Sequence, residues 1–238
     1  MKILALESSA LAASVAVCED EELIAQSFQR TGLTHSATLM PMAEDMLKNA
    51  GLTLAEMDVI AVAVGPGSFT GLRIGVSAAK GLAWALEKPC APCSTLESMA
   101  WQVAHLDGEL CPVMDARRKQ VYNARFCAQG GVPSRLTEDR AISLDDLAEE
   151  VKNAEKPQIL VGDGALLCYN AFSERGIPTV LAPKHLLFQT AWGVARQGLE
   201  LARHGGLVSA SELAPAYHRL SQAERERLSK LEKESNIH

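Results

Sequence analysis

The stretch from Met57 to Val64 constrains the fold more than any other part of this sequence. It reads M-D-V-I-A-V-A-V, and such a nearly apolar run is typical of a strand buried on both faces of a parallel sheet. A glycine-rich loop from Gly65 to Gly71 follows, and a long helix is predicted from about Gly71 to Leu86. A buried strand followed by a loop and a helix predicts an α/β protein whose sheet is covered by helices.

The elements around this unit follow the order β-β-β-α-β-α. Apolar or loosely alternating runs predict strands over Ile3–Leu6, Ala10–Cys18 and Leu23–Arg30. A helix is predicted from Ser36 to Ala50, ended by Gly51, and a further helix from Thr95 to His105.

The second half repeats this order with little sequence similarity. It predicts strands at Leu110–Asp115, Gln120–Cys127, near Ser134–Leu136 and at Gln158–Val161, with helices at Leu144–Asn153, Ala165–Glu174 and Phe188–His204. Two such halves predict a duplicated α/β architecture of two lobes with a cleft between them. We assign residues 1–107 to an amino-terminal lobe, 108–220 to a carboxy-terminal lobe and 221–238 to a charged tail, which predicts a solvated or frayed helix.

Charge and cysteine content restrict the kind of function. The 238 residues include 23 Lys and Arg against 29 Asp and Glu, a net charge of −6, which is unfavourable for a protein that binds nucleic acid unaided. No run approaches the roughly 18 apolar residues of a membrane span, and the first residues do not resemble an export signal. The six cysteines are then most simply reduced thiols, which predicts a cytoplasmic protein.

The glycine loop permits two interpretations. Free backbone N–H groups and a helix dipole can hold an anion where a strand, a loop and a helix meet, and the candidates here are Gly65, Gly67, Ser68, Thr70 and Gly71. The loop matches no dinucleotide fingerprint, Walker A loop or nucleophile elbow. The other interpretation is a tight turn with a purely structural role.

The helix after the loop has two unlike sides. Gly75 lies on a side of small and apolar residues, and glycine inside a helix costs roughly 1 kcal/mol relative to alanine. We therefore expect something, most simply the protein's own sheet, to approach that side closely. Arg73, Ser77, Lys80 and Trp84 share the opposite side, which suits a partner surface.

Residue spacing alone reveals no catalytic constellation. Cys90 and Cys93 form a C-x-x-C pair, but without a second pair they are better explained as small buried side chains than as a redox or zinc site. His35 is followed four residues later by Leu39 instead of a second histidine. Asp115 and the segment 117–119 (Arg-Arg-Lys) predict a charged hairpin, and 162–164 (Gly-Asp-Gly) a turn.

Several stretches of the chain carry a family resemblance. The most specific is G-P-G-S-F-T-G-L-R-I-G at residues 65–75; others are residues 3–9, 35–36, 79–83, 94–97, 114–117, 121–122, 215–219 and 223–224. Together they resemble the TsaB (YeaZ) family of bacterial tRNA threonylcarbamoyladenosine synthesis, over the whole chain but more loosely in the second lobe. The resemblance implies the actin/hexokinase-like ATPase (ASKHA) fold, in agreement with two lobes of βββαβα topology.

The resemblance also implies a non-catalytic role with no metal site. The catalytic paralogue in this family, TsaD, binds a metal through two histidines four residues apart on its first helix, and here His35 and Leu39 stand at those positions. Glu7, Ser8 and Ser9 stand at a phosphate site of the fold. Family members more often carry Asp at the first of these positions, so the resemblance implies at most a vestigial site.

The resemblance implies protein partners, and tRNA as a partner only through them. Family members form a heterodimer with TsaD, associate with the ATPase TsaE, and can form homodimers alone; tRNA is bound only within the complex. No cofactor is expected to be bound tightly, since partner subunits use the ATP. The candidate interface combines His35, Leu39, Met42 and Met46 of the first helix with Arg73, Ser77 and Lys80 of the second, although the sequence does not decide which helix side is core.

Two alternatives from other classes stay open. One is an ATP-binding phosphotransferase of the same fold, using the cleft around Glu7 and Gly67. The other is a metallopeptidase-like protein, against which the missing histidine pair argues.

Overall fold

The structure is a computed structural model that describes residues 1–218. The predicted charged tail, and the last two residues of the predicted second lobe, lie outside the described residues. The first half contains the strands β1 Lys2–Glu7, β2 Ala13–Glu19, β3 Glu22–Gln29, β4 Val59–Gly65 and β5 Cys90–Ser94, and the helices α1 His35–Ala50, α2 Phe69–Leu86 and α3 Thr95–Val103.

The second half is built in the same way, with an added hairpin. Its strands are β6 Gly108–Arg117, β7 Gln120–Asn123, β8 Phe126–Gln129, β9 Val132–Arg135, β10 Arg140–Ser143, β11 Gln158–Val161 and β12 Thr179–Leu181, and its helices are α4 Leu144–Val151, α5 Ala165–Ser173 and α6 Ala191–Arg203. Short turns of 3₁₀ helix lie at Leu54–Glu56, Ala104–Leu106 and Lys184–Leu186.

The two sheets have the same strand order, which confirms the duplication. The first sheet runs β3-β2-β1-β4-β5 and the second β10-β7-β6-β11-β12. In the first sheet β3, β2 and β1 pair antiparallel, whereas β4 and β5 run parallel to β1. In the second sheet β10, β7 and β6 pair antiparallel, whereas β11 and β12 run parallel to β6. This is the actin/hexokinase-like ATPase fold.

Several predicted elements were wrong in detail. Each sheet has an outer strand that the sequence did not predict, β5 and β12, and Cys90 and Cys93 lie on β5, directly before α3. The predicted strand Gln120–Cys127 is two strands: β7 pairs with β6 and β10, and β8 pairs with β6 and β9. The strand predicted near Ser134–Leu136 is confirmed as β9, but it pairs with β8, and β10 takes the outer place beside β7.

Helix α1 is continuous from His35 although Pro41 lies inside it. Gly51 ends it with a φ of 69°, a conformation that favours glycine. One side of the helix covers the first sheet, and the buried residues of that side are Leu39, Met42, Ala43, Met46 and Leu47.

The two halves exchange one helix each. Helix α3, from the first half, packs into the core of the second sheet, whereas α6, from the second half, packs on the first sheet. The two helices also contact each other, through hydrogen bonds from Ser98 Oγ to Gln197 Oε1 at 2.9 Å and from Thr190 Oγ1 to Gln102 Oε1 at 2.7 Å. The assigned boundary near residue 107 stays a prediction, and the packing crosses it.

Among residues 1–218, no helix has the length and apolar content needed to cross a bilayer.

Candidate functional site

The glycine loop between β4 and α2 is packed against the turn that follows β1. A Cβ atom at Gly67 would lie 2.5 Å from the Ser9 carbonyl oxygen, and one at Gly71 would lie 2.1 Å from that of Ser8. The amide of Ser68 donates to the Ser9 carbonyl at 2.7 Å. Because not even a methyl group fits at these two positions, the close packing of the loop against the turn requires glycine at both. The choice between an anion site and a purely structural turn stays a prediction.

Helix α2 begins at this contact and stays close to it. Ser68 caps the helix by accepting from the Gly71 amide at 3.3 Å, and Ser8 Oγ donates to the Gly71 carbonyl at 2.9 Å. A Cβ at Gly75, one turn further, would lie 2.4 Å from Ser8 Oγ. The predicted close approach is thus confirmed: the protein's own β1 turn and sheet occupy this side of the helix.

The end of the described chain covers the other side of the loop. Gly65 has a φ of 139°, and a Cβ there would lie 2.3 Å from the Ala216 carbonyl oxygen. The Ala216 amide donates to the Val64 carbonyl at 2.8 Å, and the ring of Tyr217 stacks on Phe69 with centroids 4.4 Å apart. Thr70 is left exposed at the start of α2.

Glu7, the last residue of β1, is fully buried beside this contact. Its Oε1 accepts from the Ser9 amide at 2.6 Å, whereas Oε2 and the Ser9 hydroxyl have no hydrogen-bond partner among the described residues. Burial raises the pKa of Glu7 from 4.5 to about 7; the hydrogen bond from the Ser9 amide lowers it, and Asp163 of the other lobe raises it further. A buried carboxyl that faces a second carboxylate is a poor neighbour for a phosphate.

Asp163 was predicted only as part of a turn, yet its charge acts on Glu7 of the other lobe. It follows β11, accepts from the Asp115 amide at 3.3 Å, and has a pKa raised by burial and by the Asp115 carboxylate. Gly164 allows this contact, since a Cβ there would lie 2.9 Å from the Met114 carbonyl carbon. The two acids come together only because the lobes close on each other, and no spacing in the sequence signals it.

His35 is used as a structural hydrogen-bond donor. Its Nε2 lies 2.7 Å from the Ala10 carbonyl oxygen, so Nε2 carries a proton and donates, since a carbonyl only accepts. Leu39, one turn later, is 1% exposed in the core. The residues at the two positions therefore do not fit a metal, and no group of three or more His, Cys, Asp or Glu suited to a metal occurs in residues 1–218.

The structure corrects most of the candidate interface. Leu39, Met42 and Met46 are at most 7% exposed, because the first sheet covers the side of α1 on which they lie. These three side chains therefore offer little area to a partner.

The cations on the charged side of α2 form hydrogen bonds within the molecule. Arg73 Nε donates to the Tyr217 hydroxyl at 2.8 Å, and Lys80 Nζ donates to the Ser211 and Leu213 carbonyls at 3.2 and 3.0 Å. Ser77 stays exposed. The large apolar residues that these helices do present are Met40, 38% exposed, and Trp84, 71% exposed.

Cys90 and Cys93 are both buried, and burial raises the pKa of each thiol. They belong to core clusters on opposite faces of the first sheet, as a spacing of three along a strand requires. Two thiols on opposite faces are not placed for the exchange chemistry of a C-x-x-C redox site.

The fold and site together define a protein of the actin/hexokinase-like ATPase fold whose glycine loop packs closely against the turn after β1. The fold is shared with component A of (R)-2-hydroxyglutaryl-CoA dehydratase from Acidaminococcus fermentans, at a TM-score of 0.51 and 13% identity over 85% of this chain and 99% of that one. The YeaZ structure from Pseudomonas aeruginosa is far more similar, at a TM-score of 0.77 and 26% identity over 91% of this chain and 99% of that one.

The sequence comparisons agree with the structural ones. The family model described as TsaD, tRNA N6-adenosine threonylcarbamoyltransferase, matches residues 22–180. The tRNA threonylcarbamoyladenosine biosynthesis protein TsaB of Bacillus subtilis is 33% identical over 94% of this chain and 96% of its own length. That of Escherichia coli is 28% identical over 92% and 95%. This chain belongs to the TsaB (YeaZ) family of tRNA threonylcarbamoyladenosine biosynthesis proteins.

Proposed function

We propose that this chain is a non-catalytic assembly subunit of the bacterial complex that makes threonylcarbamoyladenosine in tRNA next to the anticodon. It dimerises with the catalytic subunit TsaD and supports its activity. The observation that carries the proposal is the pair His35 and Leu39: His35 donates to the Ala10 carbonyl and Leu39 lies in the core, so these positions do not fit the metal that the catalytic paralogue binds. Membership of the TsaB family supplies the pathway.

What this chain's own residues do supports a role without catalysis. Glu7 has no route to solvent and favours its neutral form more than an ordinary carboxyl does. His35 donates a hydrogen bond from Nε2 to the Ala10 carbonyl, and Leu39 has no atom that could bind a metal. The chain therefore holds no nucleotide or metal tightly, and partner subunits use the ATP. This favours the assembly role over an ATP-binding phosphotransferase or a metallopeptidase.

The further partners belong to the same proposal. TsaE joins the larger complex, the isolated chain can form a homodimer, and tRNA is bound through the complex. Cytoplasmic residence fits this role.

Reconstitution tests the proposal directly. TsaD supplied with its substrates and tRNA is expected to lose most modification activity when this chain is omitted, measured as threonylcarbamoyladenosine released by nuclease digestion. Full modification in its absence would show that the chain is dispensable. Calorimetry of the isolated chain with ATP and magnesium separates the alternative, because micromolar binding would favour a phosphotransferase.

The contact with TsaD is expected on the exposed side of α1 and α2. Trp84 is the most exposed large apolar side chain of these helices, and exposed tryptophans are frequent anchors of interfaces. Replacing it by glutamate (Trp84→Glu) is expected to weaken co-purification with TsaD at least tenfold and to leave the thermal unfolding midpoint nearly unchanged.

Leu166→Glu is the matched control for this variant. Leu166 is 57% exposed on α5 of the second lobe, so the same charge is added away from the proposed contact. If both variants lose TsaD to the same extent, or if neither loses it, the interface lies elsewhere.

A further inference from the structure

The turn between β6 and β7 combines an unusual backbone with three cations. Arg117, Arg118 and Lys119 have φ values of 64°, 56° and 59°, and each is a residue with a Cβ in the left-handed region, where glycine is preferred. The following argument concerns this segment, which we call the basic turn.

The basic turn is fixed from both sides. The amide of Arg117 donates to Asp115 Oδ1 at 2.7 Å, and the carbonyl of Lys119 accepts from the amide of Leu144, the first residue of α4, at 3.1 Å. The side chains of the turn are exposed. The fold therefore holds three exposed cationic side chains on a hairpin end whose backbone is hydrogen-bonded at both of its ends.

Two of these cations are not neutralised within the part of the chain that the structure describes. Arg117 pairs with Asp115 at 3.3 Å, whereas Arg118 and Lys119 form no ion pair with any of residues 1–218.

The acids nearest to the basic turn at the start of α4 have other partners. Asp145 pairs with Arg175, and Asp146 accepts from Ser143 Oγ at 2.7 Å. The basic turn thus brings together two adjacent cations without ion pairs to the described residues, in a chain with a net charge of −6. Strain of a left-handed backbone persists where the conformation is used.

We propose that the basic turn contacts backbone phosphates of the tRNA held by the complex. The inference rests on the proposed function and adds an RNA-contacting element to it. Arginine and lysine donors are the usual ligands of phosphate oxygens. A projecting hairpin end cannot enclose a small anion, but it can touch successive phosphates of an extended backbone. Such contacts position the RNA without reading its sequence.

The test compares two charge-matched double variants in the assembled complex. Arg118→Gln with Lys119→Gln removes the two free cations; Lys156→Gln with Lys184→Gln removes two exposed lysines elsewhere in the second half. Binding of a tRNA transcript with adenosine after its anticodon is measured across a salt series. The first variant is expected to weaken binding about tenfold at physiological salt and to lower the slope of log affinity against log salt by about 1 to 2.

The control double variant is expected to bind tRNA like the wild type. Equal weakening by both variants would mean that only overall charge matters, and no weakening by the first would remove the turn from the RNA surface; either result overturns the inference. If wild-type chain fails to co-purify with TsaD, the proposed function is what fails. The same salt series on the isolated chain at low ionic strength then tests whether the basic turn contacts RNA.

A single variant separates this role from a structural one. Arg118→Gly relieves the left-handed conformation, so it is expected to raise the thermal unfolding midpoint while it weakens tRNA binding. A turn with only a structural role would show higher stability and unchanged binding.

Discussion

Replacing Gly71 by alanine is expected to lower the free energy of unfolding by about 3 kcal/mol, the upper range for overpacking a dense interior. The new Cβ would lie 2.1 Å from the Ser8 carbonyl oxygen, and backbone cannot move aside as a flexible side chain can. For a domain of this size the loss corresponds to a fall of roughly 6–12 °C in the unfolding midpoint. Chemical denaturation and calorimetry of the same variant measure both quantities.

Gly81→Ala is the control within the same helix. A Cβ at Gly81 would have no atom within 4 Å, so alanine is expected to stabilise the protein by up to about 1 kcal/mol through its helix propensity. Opposite signs for the two variants would show that the contact with Ser8, and not glycine as such, is what α2 requires. If the Gly71→Ala protein were as stable as the wild type, the loop would not be packed against Ser8 in solution. That result would favour the anion-binding interpretation.

Replacing Glu7 by glutamine is expected to stabilise the protein strongly at alkaline pH and hardly at all in acid. The pKa of Glu7 is raised by burial to about 7 from 4.5, so the native state favours the protonated carboxyl. This contribution to stability is fully present below about pH 4.5 and is lost as the pH rises through 7. Glutamine stays neutral and can still accept from the Ser9 amide with its Oε1.

The advantage of Glu7→Gln over the wild type should therefore grow from near zero at pH 4 to about 3 kcal/mol at pH 8. Denaturant unfolding at several pH values measures it. Glu44→Gln, on the exposed side of α1, controls for the change in net charge. An advantage that is constant with pH would show that Glu7 is not sealed from water in solution.

The glycine loop shows how far a sequence can lead toward the site. Gly75 inside an otherwise regular helix predicted close approach to that side of α2, and the Ser8 hydroxyl provides it. The choice between an anion site and a closed turn was not predictable. It depends on where the backbone of Ser8 and Ser9 lies, some sixty residues earlier in the chain, and no local pattern encodes that distance.

The sequence by itself determined most of the strands and helices, because the periods of 2 and 3.6 that mark them are local, but it missed β5 and β12. It also determined the duplication and the missing second histidine. Only the tertiary structure decided what covers each apolar surface. The arc of Leu39, Met42 and Met46 is equally apolar under a sheet or under a partner, and it is the first sheet that buries it. The exchange of α3 and α6, the sealing of Glu7 and its meeting with Asp163 arise from contacts between distant segments. Their energies depend on packing and burial, quantities that exist only once the chain has folded.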